Sequence, residues 1–246
     1  MKTSTRILFT ALAVTIVLMT AVAIIFKAKT KDFIVKGDGN VITHERNFES
    51  FDELIIDGGI NIEYILGETN TLVIEADSNL IQNIETTLID RTLKITNNSS
   101  FRKQVNCKLT APMVKEIRVL SGAKFISKDT IQSKTLNFTV NAGSSFSLIG
   151  NFDTIVSSIN AGSNVTLVGS CKKMKASVNA GSKLQSFGME TDHLIVDANA
   201  GSKVVVNSKE MEASARAGSA IQYKEGAILK NIETSAGGSI KSTKGD

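Results

Sequence analysis

The chain has 246 residues, a formal net charge of +4, 5% aromatic residues and no tryptophan. Five basic residues and no acidic ones lie within residues 1–31, so the remaining residues hold 23 basic against 24 acidic side chains. A nearly neutral surface with few aromatic rings argues against a nucleic-acid-binding protein, which needs clustered Lys and Arg with stacking platforms. We therefore expect no nucleic-acid partner.

The first element predicted along the chain is an apolar helix at Ile7–Phe26. This run contains no charged residue, and as a helix it would be about 30 Å long, enough to span the apolar core of a membrane. Residues 1–31 are therefore predicted to be a signal-anchor or transmembrane segment, with the membrane as a partner. The alternative is a cleaved signal peptide with small residues at Ala21 and Ala23.

The rest of the chain is expected to lie outside the cytoplasm, because only a short basic stretch precedes the apolar run. We therefore predict a location in the cell envelope, as a membrane-anchored domain that faces the periplasm or the cell surface. Residues 32–47 are predicted to be a linker, and residues 48–246 to form a single all-β domain.

The first half of that domain alternates apolar and polar residues. The stretch "FDELIIDGGINIEYILG" shows the period of two that is typical of β-strands. No regular repeat appears here, so these strands are predicted to form longer, irregular coils or a β-sandwich-like cap. A cap is needed because an open coil end exposes unpaired backbone groups.

The second half repeats the tetrapeptide Asn-Ala-Gly-Ser. Its Asn residues are spaced by 19, 19 and 20 residues, and the variants RAGS and SAGG follow at Arg216 and Ser235. A period near 19 residues is too short for pairs of helices and fits a β-solenoid. The Asn residues of the four full copies are Asn141, Asn160, Asn179 and Asn199.

Apolar residues flank each tetrapeptide at every second position. They lie one, three and five residues before the Asn, and five and seven residues after it. Side chains that alternate in this way belong to strands with one face in the core. The predicted fold is therefore an all-β parallel β-helix, or solenoid, of roughly 19-residue coils, preceded by one N-terminal transmembrane or signal helix. The Asn-Ala-Gly-Ser coils are predicted over about 115–240.

The tetrapeptide itself is predicted to be a turn in which Gly supplies a positive φ. Asn amides stacked from coil to coil can donate to and accept from one another, as in an amide ladder. We expect this column to be structural rather than a binding site. The predicted turn ladder comprises Asn141, Asn160, Asn179, Asn199, Gly143, Gly162, Gly181, Gly201 and Gly218. A further short turn is predicted nine residues after the Asn, at Gly150, Gly169 and Gly188.

The stretch "DGGINIEY" and the succession of Ala-Gly-Ser turns after it resemble a known bacterial family, the putative auto-transporter adhesin, head GIN domain. The stretches "TLVIEADSNL" and "DRTLKI" also fit, and the resemblance covers about residues 48–240. It implies a right-handed parallel β-helix on an exported protein and carries over no catalytic residues. Arg216 and Ser235 depart from the pattern because they replace Asn.

Few residues are candidates for catalysis or for metal binding. His44 and His193 lie far apart and have no acidic or Cys companions at ligand spacing, so we expect no metal and no cofactor. Cys107 and Cys171 are expected to be separate buried thiols, although a disulfide is allowed outside the cytoplasm.

A column of alternating charge lies seven residues before the Asn. Two acids on one face of a β-helix could serve a polysaccharide hydrolase. Lysines between those acids are better explained by charge compensation, so the chain is predicted not to be an enzyme. The members of the column are Lys134, Asp153, Lys172, Asp192 and Lys209.

Two functions fit these features. The first is a cell-surface binding, adhesion or scaffold module on a membrane anchor, whose ligand would be an unidentified surface glycan or protein. The second is a structural β-solenoid that self-associates by stacking its coil ends. The anchor favours the first function, and the polar C-terminal stretch "GGSIKSTKGD" argues against exposed coil ends.

Overall fold

A computed structural model describes residues 12–21, 34–35, 37–98, 100–101 and 105–244. The elements in chain order are α1 (12–21), β1 (Ile34–Val35), β2 (Val41–Asn47), β3 (Glu53–Asp57), β4 (Ile60–Leu66), β5 (Thr71–Asp77), α2 (Ser78–Ile81), β6 (Ile84–Ile89), β7 (Thr92–Asn97), β8 (Ser100–Phe101), β9 (Val105–Ala111), β10 (Glu116–Leu120), β11 (Lys124–Ser127), β12 (Ile131–Val140), β13 (Ser145–Ile159), β14 (Asn164–Val178), β15 (Lys183–Ala198), β16 (Lys203–Ala215), β17 (Ala220–Lys224), β18 (Ile228–Thr234) and β19 (Ser239–Thr243).

The chain divides into two compact units, and the smaller comprises Met1–Lys36 with Ser99–Arg102. Its described parts are α1 and the short parallel pair of β1 with β8. The rest of the predicted membrane segment Ile7–Phe26 lies outside the described residues. Across the described ranges, no helix has both the length and the apolar character that a membrane crossing requires.

The larger unit, Gly37–Asn98 with Lys103–Asp246, is a β-solenoid of about 7 turns. From β12 onward, strands pair in parallel with their equivalents one coil later. Phe146 lies beside Val165, and Ile155 lies beside Met174. This register confirms the all-β solenoid and the repeat length that the tetrapeptide spacing predicts.

The alternating apolar columns form the core, as predicted. Val140, Ile159 and Val178, each one residue before a turn, have no exposed surface. Ser127 and Ser186 interrupt an otherwise apolar column, and both are buried. The strand period therefore decides which side chains point inward, even where a polar residue occupies the position.

An aromatic stack runs through the centre of the core. The ring of Phe125 lies 4.9 Å from that of Phe146 and 5.4 Å from that of Tyr64, measured between centroids. Phe138 stacks on Phe146 at 4.5 Å. The rings of Tyr64, Phe125 and Phe146 come from three successive coils, whereas Phe138 and Phe146 flank one turn, so the stack ties together strands that are distant in sequence.

The first half of the domain is more regular in space than its sequence indicates. The pair β3–β4 forms a coil, because β3 pairs in parallel with β10 and β4 with β11. Strands β7 and β9 extend the same stack on the other side of this coil. The antiparallel strands β2, β5 and β6 flank that outer coil. In sequence order the chain therefore forms the second coil first, then the outer coil, and then the third coil. Because sequence order and spatial order differ, no regular repeat appears in this part of the sequence.

The structure places a strand within the predicted linker over residues 32–47. Strand β2 pairs antiparallel with β5 along its whole length. Its side chains are exposed or half-buried, so it lacks the apolar alternation by which a sequence pattern reveals a strand. Backbone pairing at the edge of the sheet holds it in place.

The prediction of a further turn at Gly150, Gly169 and Gly188 is wrong, because these glycines lie within β13, β14 and β15. Gly150 and Gly169 are partners on the ladder between β13 and β14. A Cβ added to Gly169 would lie 1.9 Å from the carbonyl oxygen of Gly150. The ladder continues through these glycines, and the close approach of the two coils leaves no space for a side chain.

A cluster of ion pairs joins β-strands near the start of the domain. The carboxylate of Asp52 lies 2.6 Å from Arg91 Nε and 3.2 Å from Lys115 Nζ. Hydrogen bonds from Arg91 and then Lys115 lower the pKa of Asp52 to about 2. Arg91 precedes β7 and Lys115 precedes β10, so the cluster links three coils.

We expect Asp52→Asn to remove part of the acid sensitivity of the domain. A carboxyl with a lower pKa in the folded than in the unfolded state stabilises the fold above its unfolded pKa, and that stability disappears as the pH falls through the folded pKa. The loss should therefore occur between about pH 4 and pH 2. Urea unfolding across this range measures it, with the exposed Asp197→Asn as control. The same pH dependence in wild type and Asp52→Asn would contradict the prediction.

Candidate functional site

The Asn-Ala-Gly-Ser tetrapeptides occupy the tight turns between the strands of each coil. Ala161 and Gly162 both have positive φ, at 53° and 73°. Two central residues with positive φ define a type I′ turn. Gly adopts this conformation freely, whereas Ala is strained by about 1–2 kcal/mol, so the surrounding contacts must hold it.

Backbone hydrogen bonds connect each turn to its neighbours. The N–H of Gly143 donates to the carbonyl of Ala161 at 2.9 Å, one coil later. The backbone N–H of Arg216 donates to the carbonyl of Ala198 at 2.9 Å, as the Asn residues do in other coils. Because these bonds use no side chain, Arg216 can replace Asn without breaking the stack. The same Gly to Ala bond is made by Gly162, Gly181, Gly201 and Gly218.

The Asn side chains form only part of the predicted amide ladder. Nδ2 of Asn179 donates to Oδ1 of Asn160 at 3.0 Å. Asn141 and Asn199 instead accept from the backbone N–H of the Ala that follows each of them. In the part of the chain that the structure describes, Asn160 and Asn179 are the one pair of these four joined by their side chains.

The Ser at the end of each tetrapeptide also joins the coils, a role that was not predicted from the sequence. Oγ of Ser202 lies 2.8 Å from the carbonyl oxygen of Val178 in the preceding coil and 2.9 Å from that of Asn199, and its one hydroxyl proton is shared between these two acceptors. These serines face the interior, and their recurrence in every copy was the available signal. At most 1% of the surface is exposed in Ser144, Ser163, Ser182, Ser202 and Ser219.

We expect Asn160→Ala to lower the free energy of unfolding by about 1 kcal/mol. The substitution removes the acceptor of the Asn179 amide and the hydrogen bond that Asn160 donates to Ser158 Oγ. Asn199→Ala is the matched control, because Asn199 is exposed and its side chain accepts only from the backbone N–H of Ala200 in its own turn. Urea unfolding compares them, and an equal loss in both variants would show that the amide pair adds nothing.

The alternating charge column is confirmed in space. Nζ of Lys172 lies 2.7 Å from Asp153, and Nζ of Lys209 lies 2.7 Å from Asp192. The hydrogen bond to Asp153 raises the pKa of Lys172, and the hydrogen bond from Lys209 lowers the pKa of Asp192. Both acids are thus occupied by lysines of the next coil, which is the geometry of charge compensation.

The histidine and cysteine positions offer little for catalysis. His193 has an acidic neighbour after all, because Glu210 of the next coil lies 2.8 Å from its Nδ1. Within the described ranges, no group of three or more His, Cys, Asp or Glu residues could hold a metal. Cys107 and Cys171 are free and buried, and burial raises their pKa values to about 12 and about 11.

A groove lies on the outer face of the first-half sheet. Five strands lie side by side there, in the order β11, β4, β9, β5 and β2. The groove has a volume of about 610 Å³. Its lining residues are Thr43, Asn61, Ile62, Glu63, Val73, Glu75, Asn106, Cys107, Lys108, Lys124, Ile126 and Lys128.

Strand register aligns the outer side chains of the groove into two rows. The first row crosses all five strands, since Lys124 lies beside Asn61, Asn61 beside Asn106, Asn106 beside Glu75, and Glu75 beside Thr43. Nδ2 of Asn61 donates to Oδ1 of Asn106 at 2.9 Å. This row therefore presents one ammonium group, two amides and one carboxylate on successive strands, and it ends with the hydroxyl of Thr43.

The second row mixes charge with apolar surface. Glu63 lies between Ile126 and Lys108, and Lys108 lies beside Val73. Lys128 Nζ lies 3.6 Å from a carboxylate oxygen of Glu63. The two rows together offer donors and acceptors at the spacing of neighbouring strands, about 4.8 Å, with aliphatic side chains between them.

Fold and groove together define an all-β solenoid domain with a polar groove on its outer face. The chain belongs to the family described as putative auto-transporter adhesin, head GIN domain, whose family model matches residues 50–227. This confirms the resemblance seen in the sequence. The family is described as one of putative adhesins and is not an enzyme family, and that description points to a location at the cell surface or in the envelope. None of the curated proteins compared matches the chain.

Solved structures share the fold at low sequence identity. A putative adhesin from Bacteroides fragilis is 14% identical with a TM-score of 0.76, and the match covers 85% of this chain and 100% of that one. A putative lipid binding protein from Parabacteroides distasonis is 17% identical with a TM-score of 0.71, covering 86% and 100%. A putative adhesin from Parabacteroides merdae is 18% identical with a TM-score of 0.66, covering 86% and 99%.

Proposed function

We propose that the chain is a non-enzymatic binding module that displays its groove to ligands outside the cytoplasm, as an adhesin does. The observation that carries this proposal is the groove itself, with its two rows of polar side chains across five strands. Membership of an adhesin family supports a binding role. The acids of the charge column are paired with lysines, which supports a role without catalysis.

The groove suits a ligand that is rich in hydroxyl groups. A hydroxyl both donates and accepts hydrogen bonds, so it can pair with the amides of Asn61 and Asn106 as well as with Lys108 or Glu75. The lining includes both cations and carboxylates, so no single sign of charge dominates. We therefore propose a neutral surface glycan as the ligand, with Ile126 and Val73 contacting the apolar faces of its rings.

The proposal includes the anchor and the arrangement of the chain. An uncleaved helix over Ile7–Phe26 would hold the domain at the membrane, with residues 1–31 as the anchor and the solenoid outside the cytoplasm. The apolar, uncharged run and its basic flanks support this arrangement. A right-handed coil is proposed on the strong preference of parallel crossover connections for that sense.

A glycan array tests the ligand. The full-length protein in detergent micelles is applied to immobilised glycans and matrix proteins, and its affinities are then measured for the best ligand. We expect Asn106→Ala and Lys108→Glu each to weaken glycan binding at least tenfold, which is about 1.4 kcal/mol. Lys175→Glu is the matched control, because Lys175 is exposed on β14, outside the groove.

Two results would count against the proposal. Glycan binding that is unchanged in both groove variants would show that the groove is not the site. Binding to matrix proteins alone would exclude the proposed ligand class.

The location is tested separately by protease treatment of intact and permeabilised cells, since an extracytoplasmic domain should be cleaved without rupture of the inner membrane.

A further inference from the structure

The interior of the last coil is exposed. Strand register aligns Met211 with Leu229 and Ala213 with Ile232, so all four side chains belong to core columns. Met211 and Ala213 are 1% and 5% exposed, whereas Leu229 and Ile232 are 40% and 38% exposed. Among the described residues no further coil covers these two side chains, which explains their exposure.

The same end of the stack carries two open strand edges. Strand β18 pairs with β16, and β19 pairs with β17. Over the described residues, no strand pairs with the other side of β18 or β19. At the opposite end, antiparallel strands flank the outer coil. An open edge beside exposed apolar side chains is a template for pairing with another chain.

We infer that a second copy of this chain covers the last coil, so that two copies meet through β18 and β19 about a two-fold axis. The last coil of a second copy has two open strand edges of its own, which can pair with those of β18 and β19. Its exposed apolar side chains can then pack against Leu229 and Ile232. A two-fold contact uses the same surface on both copies and therefore closes at a dimer.

The charges on β18 are compatible with this contact. Lys230 contacts Glu210, and Glu233 contacts Arg216, so both lie on the outer face of the solenoid. Antiparallel pairing of two β18 strands reverses the order of Lys230 and Glu233 in the second copy. Each Lys230 then lies toward the Glu233 of the other copy, and opposite charges across a strand pair are favourable.

Molar mass in solution tests the inference. The full-length protein in detergent micelles, measured by light scattering over a concentration series, should have the mass of a dimer. Ile232→Lys places a charge on the exposed core column, and we expect it to weaken association at least tenfold. Ile195→Lys is the matched control, because Ile195 is 43% exposed on the outer face of β15, and it should remain dimeric.

Three outcomes would overturn the inference. The first is a wild-type monomer at every concentration. The second is a dimer that persists in Ile232→Lys, which would place the contact elsewhere, for example in the N-terminal segment. The third is an equal loss of dimer in both variants.

Amide hydrogen exchange gives an independent measurement, because the β18 amides should be more protected in the wild-type dimer than in wild type diluted below the dissociation constant. Glycan affinity, measured in the same samples, separates this inference from the proposed function.

Discussion

Replacing Phe125 with Ala is expected to destabilise the solenoid by about 3–5 kcal/mol. Phe125 has no exposed surface, and its ring lies between those of Tyr64 and Phe146. The substitution removes the buried surface of the ring, two aromatic contacts and the packing of three coils against one another. Solenoid coils cannot compensate by moving independently, because each buries its inner face only against its neighbours.

Urea unfolding of wild type and Phe125→Ala measures the effect, with the slope of the transition as a check on cooperativity. Phe187→Ala is the matched control, because Phe187 is half-buried on β15. We expect the control to lose roughly 1 kcal/mol or less. Losses of similar size in the two variants would mean that the aromatic stack contributes no more than an ordinary surface contact.

The regular half of the solenoid could be predicted from the sequence because its physics is local. Strand alternation places every second side chain in the core, and each coil repeats the last one. Ser127 and Ser186 are exceptions to the apolar pattern seven residues after the turn anchor, yet the structure finds both of them buried in that column. Periodicity therefore identifies a position independently of the residue that occupies it.

The first half could not be predicted in the same detail because its strands stack out of sequence order. The coil of β3 and β4 lies between one built from β7 and β9 and one built from β10 and β11. Long-range pairing of this kind leaves no period in the sequence. The groove was missed for the same reason, since Asn61 and Asn106 meet only because β4 and β9 are neighbours.

The C-terminal end illustrates the difference between composition and position. The stretch after Ser235 is polar overall, and on that basis it argued against an exposed apolar coil end. The structure shows that the relevant residues are the inward ones of the last coil, namely Leu229 and Ile232 on β18. Their apolar surface faces solvent although their polar neighbours dominate the composition.

Replacing Gly169 with Ala should destabilise the fold by on the order of 3 kcal/mol, through two separate effects. Gly169 has a φ of 124°, which side chains rarely adopt, and an added Cβ would lie 1.9 Å from the carbonyl oxygen of Gly150. That oxygen belongs to the backbone of the neighbouring coil. The coils must therefore separate locally and lose ladder hydrogen bonds.

Gly162→Ala separates the two effects, because it makes the same chemical change at a turn. Gly162 has a φ of 73°, but an added Cβ would find nothing within 4 Å. Only the strain of the left-handed conformation applies there, about 1–2 kcal/mol. Urea unfolding should therefore rank Gly169→Ala below Gly162→Ala in stability, and both below wild type. If Gly162→Ala were the less stable variant, the prediction would be wrong. Backbone strain at the turn would then cost more stability than the steric clash between coils at Gly169.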